Sequence, residues 1–179
     1  MDSTLPVQFA ASAASGFDER VSTREKKREG EPATAWLVPY KLGRRVALPM
    51  HATIAILDPP PMVVVPGASY YCKSMFRWRG HWLPLLDLEV LLTAYRSERV
   101  PPTRHVLIVA YQRESGQLVQ HGAISLPAMP VIVRVSDSAQ CQLPTDSDLW
   151  PVIALSCFQH AGRAVPILDT GRLFDRYHG

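Results

Sequence analysis

Residues 70–92 decide how the rest of the chain is read: Tyr70-Tyr71-Cys72-Lys73-Ser74-Met75-Phe76-Arg77-Trp78-Arg79-Gly80-His81-Trp82-Leu83-Pro84-Leu85-Leu86-Asp87-Leu88-Glu89-Val90-Leu91-Leu92. Ser74, Phe76 and Trp78 share one parity, and Lys73, Met75, Arg77 and Arg79 the other, the period of a strand with one apolar and one mostly wet face. Arg79-Gly80 then supplies a tight turn. On the return run Pro84 needs an unpaired edge position or a bulge, because it has no amide to donate. Asp87 stands where a helix 88–95 would take its N-cap, with Leu86 and Leu91 spaced as a hydrophobic staple.

A partial copy lies downstream. Gly162-Arg163-Ala164-Val165-Pro166-Ile167-Leu168-Asp169-Thr170-Gly171-Arg172-Leu173-Phe174 matches 80–92 at the glycine, the proline, the aspartate and the flanking apolar positions. The cap and staple recur as Asp169 with Leu168 and Leu173. Two copies of one device point to a duplicated plan.

Working outward, short apolar runs broken by Gly and Pro predict strands at 36–42, 46–48, 53–57 and 62–65, with Gly43 in a hairpin turn and the prolines 59–61 in a rigid connection. The second half repeats this with strands at 105–112, 118–125, 131–135, 152–159 and 164–168, a loop at 136–148, and a terminal helix 169–177. Many short strands in two similar units, each closed by a short helix, predict a mainly β fold of two small antiparallel barrels. With Pro101-Pro102 as the boundary, the first barrel is expected at about 34–98 and the second at about 103–179. Residues 1–33, rich in Ala, Ser and mixed charges without an apolar stripe, are expected to form a mobile tail.

The bulk properties narrow the function. The formal net charge of the 179 residues is +3, too small for a field that would drive nucleic-acid binding. Cys72, Cys141 and Cys157 form no Cys-x-x-Cys pair and cannot all be bridged, which favours a reducing, cytoplasmic setting. The first twenty residues lack the charged and apolar regions of an export signal, and no apolar run approaches the ~20 residues of a membrane-spanning helix. The six histidines are scattered without ligand spacing, and no phosphate loop, nucleophile elbow or zinc motif is present. No enzyme activity, metal or cofactor is expected.

The hairpin, above all Arg79-Gly80 followed by Leu83-Pro84-Leu85-Leu86-Asp87-Leu88, resembles the signature of the CheW-like adaptor family, and the resemblance runs from about Trp36 to Phe174. It implies two five-stranded barrels and a non-enzymatic adaptor that joins chemoreceptor tips to a CheA-type histidine kinase. Departures at Ala55, Ser74, Arg77 and the segment Leu126-Pro127-Ala128-Met129 mark a divergent member, in the manner of auxiliary adaptors of chemosensory systems that control type IV pili and twitching motility. The family's interface residues correspond here to Arg79, Gly80, Arg77, Ile54 and Ile56. A guanidinium beside a tight turn can make oriented, bidentate contacts to a carboxylate; alternatively Arg79 braces the turn through carbonyls, and the two isoleucines belong to the core. A reading from another class is a nucleic-acid-binding barrel in which Arg77, Trp78, Arg79 and Trp82 form a stacking platform.

Overall fold

A computed structural model describes residues 32–93, 102–113 and 116–175. Residues 1–31 of the expected tail and most of the link between the halves lie outside the described residues, and Ala33, expected in the tail, opens the first strand. Residues 94–95 and 176–177, where the sequence predicts the ends of the two helices that follow the signature hairpins, also lie outside them. Among the described residues there are eleven strands: β1 (Ala33–Lys41), β2 (Arg44–Pro49), β3 (Thr53–Leu57), β4 (Met62–Val64), β5 (Ser74–Trp78), β6 (His81–Leu86), β7 (His105–Tyr111), β8 (Gln120–Leu126), β9 (Val131–Val135), β10 (Ala154–His160) and β11 (Arg163–Leu168). Three short α-helices accompany them among the described residues: α1 (Leu88–Thr93), α2 (Trp150–Ile153) and α3 (Thr170–Asp175). Val152 and Ile153, expected in a strand, close α2 instead, because Pro151 falls in its first turn, where a missing amide costs nothing.

The mainly β fold with short capping helices is as expected, but the strands do not divide at the middle of the chain. One sheet has the order β10-β11-β2-β1-β9 and the other β3-β7-β8-β6-β5-β4. Each therefore combines the first two strands of one half with later strands of the other. The split at 34–98 and 103–179 is corrected by this exchange: β3 pairs with β7, β9 with β1, β6 with β8 and β11 with β2. The sheets have five and six strands, and the β6–β8 and β11–β2 pairs are parallel. The physical reason is that a run's period reports which face is buried, not which backbone edge satisfies its amides.

The exchange accounts for strands that are apolar on both faces. In β1, Ala35 and Leu37 pack with Ala47, Phe158 and Val165, while Val38 and Tyr40 face a larger cluster shared by both sheets and all three helices. In β7, Val106 and Ile108 pack with Phe76, Leu83 and Leu85, while Leu107, Val109 and Tyr111 join the shared cluster. Every one of these strands thus serves a core within its own sheet and a core between the sheets.

The repeated device is present twice at the atomic level. Asp87 Oδ1 accepts the Val90 amide at 3.0 Å, and Asp169 Oδ1 accepts the Arg172 amide at 3.1 Å. The Asp87 amide donates to the Tyr71 carbonyl, and the Asp169 amide to the Ile153 carbonyl, each at 2.8 Å. These orphan groups of a helix start are satisfied in the same way in both halves.

The hairpin tip and a basic groove

The β5–β6 turn is built from two residues with positive φ, Arg79 at 48° and Gly80 at 85°. That is the type I′ arrangement, whose twist matches that of the flanking strands. Glycine takes this conformation freely, whereas an arginine there is held against its own preference. The matching turn carries Ala161 at 48° and Gly162 at 73°.

Arg79 is exposed, and its guanidinium carbon lies 4.6 Å from the centroid of the Trp78 ring. Among the described residues it makes no hydrogen bond or ion pair, so it does not brace the turn through carbonyls. Trp78 is itself held from behind, half-buried against the Phe76 cluster and 5.2 Å from the His121 ring. The aromatic face fixes where the cation points while leaving its donors open.

Arg77 and Trp82 are cross-strand partners and both exposed, Trp82 by 54%. Trp78 lies on the other face of β5, so the four residues of the stacking reading do not form one platform. Ile54 is 41% exposed on β3, and Ile56 packs against the shared core. β3 and β4 are the edges of the sheet, and three strands separate β3 from β5 in the ladder order. The expected interface residues are therefore two patches, a hairpin tip and an edge strand. The departing segment Leu126-Pro127-Ala128-Met129 leads from β8 into β9, with Met129, Val131 and Ile132 exposed.

A groove that the sequence did not single out lies at the tip end of the first sheet. It has a volume of about 640 Å³ and is lined by Tyr40, Arg44, Arg45, Trp150, His160 and Arg163, among others. Arg44 pairs with Asp146 at 3.0 Å, and Arg163 donates through Nη1 to the Gly43 carbonyl. Burial, with the Asp146 charge adding to it, pushes the Tyr40 phenol up to about 12. These arginines come from hairpins distant in sequence, so only the parallel β11–β2 pairing unites them. Among the described residues no cluster of His, Cys, Asp and Glu suits a metal ion, and no helix is long and apolar enough to cross a membrane.

No curated protein sequence matches the chain. Among solved structures, the fold is similar to that of the scaffolding protein TtCheW from Thermoanaerobacter tengcongensis, with a TM-score of 0.63 and 13% identity, covering 82% of this chain and 90% of that one. The CheW-like domain model matches residues 40–178, a span that contains both hairpins, both capped helices and three of the four strand pairs between the halves, β3–β7, β6–β8 and β11–β2. The chain belongs to the CheW-like domain family.

Proposed function

We propose that the protein is a non-enzymatic chemosensory adaptor that couples a methyl-accepting chemoreceptor to a CheA-type histidine kinase, in chemotaxis or in pilus-based twitching motility. The observation that carries this reading is Arg79: exposed at the tip of a tight turn, oriented by Trp78, and without a charged partner among the described residues. Such a guanidinium suits a carboxylate on a partner surface, where a desolvated bidentate contact adds both affinity and orientation. The exposed apolar residues of the edge strands, Ile54 on β3 and Val63 and Val64 on β4, supply apolar area beside polar rims. The adaptor acts in the cytoplasm, and its modest individual contacts gain strength by multivalency in an array.

The test is a pull-down of the purified protein, as wild type and as Arg79→Ala, against the regulatory domains of the CheA-type kinases of its cell. Capture of one kinase by the wild type, weakened roughly tenfold or more in the variant, is the expected result. Capture of none would leave the fold in use for a different kind of binding.

A further inference from the structure

Cys141 and Cys157 face each other across a short stretch of antiparallel pairing. The Cys141 amide donates to the Cys157 carbonyl at 3.0 Å, and the neighbouring residues Gln140 and Phe158 form a β-bridge. The Cys141 thiol points at the Cys157 sulfur, with the two Sγ atoms 3.4 Å apart. Directly opposed residues of this kind have Cα atoms about 5.5 Å apart, inside the range a disulfide spans. Side-chain rotation alone can then bring the sulfurs to bonding distance. We propose that Cys141 and Cys157 are an oxidation site, at which a peroxide joins them in a reversible disulfide that ties the loop after β9 to the edge strand β10.

The chemistry has a clear order. Cys141 is half-buried and Cys157 buried, so the oxidant reaches Cys141 first. Its thiol gives up a proton as the sulfur attacks hydrogen peroxide; the O–O bond breaks, Cys141 becomes a sulfenic acid, and the departing hydroxide takes that proton to leave as the first water. The Cys157 sulfur then displaces that hydroxyl; the S–S bond forms, and the Cys157 proton departs with the second water. Burial holds the Cys157 thiol up at about 12, so it enters the second step as a thiol and passes its proton to the departing hydroxyl as the S–S bond closes. A thiol reductant reverses the step by exchange.

The link would act on more than its own strand. The loop it closes carries Asp146, which accepts the Trp150 indole N–H at 2.8 Å and pairs with Arg44 in the basic groove. Oxidation therefore fastens one wall of that groove. Cys72, also buried, precedes β5 of the other sheet and serves as an internal control.

The experiment treats the reduced, folded protein with hydrogen peroxide and maps its thiols by peptide mass spectrometry, alongside a melting curve. The expected result is a 141–157 cross-linked peptide with two hydrogens lost, Cys72 still reduced, and a Tm raised by about 5 °C. Dithiothreitol should reverse both changes, and Cys141→Ser should show neither. Over-oxidation of Cys141 to sulfinic acid without a cross-link, a link to Cys72, or a cross-link that leaves the Tm where it was would each overturn the proposal.

Discussion

At the scale of single residues, Arg79 and Asp87 make opposite kinds of demand on the fold. Arg79 occupies a left-handed turn position that Asn would fill with less strain, and its side chain contributes little besides the contact with Trp78. Arg79→Asn should therefore raise stability slightly, by up to about 1 kcal/mol, while weakening kinase capture as Arg79→Ala does. Denaturant melts beside the pull-down separate the two effects. A fall in stability of more than ~1 kcal/mol in either variant would assign the arginine a structural role instead. Asp87 is a working cap whose carboxyl burial raises above the ordinary value of 3.8, although the amides of Val90 and Glu89 pull it down. Its folded-state pKa lies above the unfolded one, so its contribution to stability is largest in acid and declines as pH rises from about 3.8 through the folded value. Asp87→Asn keeps a capping oxygen without the charge. The stability of wild type relative to this variant should fall from pH 3.5 to 7, and Asp87→Ala, which also loses the capping oxygen, should show the same fall with about 1–2 kcal/mol of further cost throughout.

At the scale of elements, the two halves solve one packing problem with different volumes. Gly122 in β8 leaves room for Phe174 of α3, whose ring would lie 2.3 Å from a Cβ at that glycine. Phe174 is fully buried and stacked on Tyr111 at 5.0 Å. In the other half, the parallel registers Leu85 with Ala123 and Ile167 with Ala47 place Val46 at the equivalent position. The corresponding helix residue there is the smaller Leu92, in the same shared cluster as Val46. Gly122→Ala should therefore force Phe174 from its site and cost about 1–3 kcal/mol, measurable by urea titration. Combining it with Phe174→Leu should recover part of that loss, as coupled neighbours do.

At the scale of the molecule, the exchanged strands mean that neither half has a complete sheet or core. Fragments 32–98 and 99–179 should each be unfolded by circular dichroism when expressed alone, because each lacks the partners of its own edge strands. Mixed together, they should recover a cooperative melt. A fragment that folds alone would show that the pairing between halves is dispensable.

What the sequence by itself determined is local: the alternation in 74–78, the turn at Arg79-Gly80, the caps Asp87 and Asp169, and their repetition. Each of these follows from interactions within a few residues, which period, turn chemistry and capping rules describe. The family followed from the same stretch. Strand pairing across the halves, the groove of Arg44, Arg45 and Arg163, and the facing thiols of Cys141 and Cys157 were decided only by the tertiary structure. All three join residues distant in the chain, and the backbone edges that select such partners look alike in every strand, so no local pattern records which edge meets which.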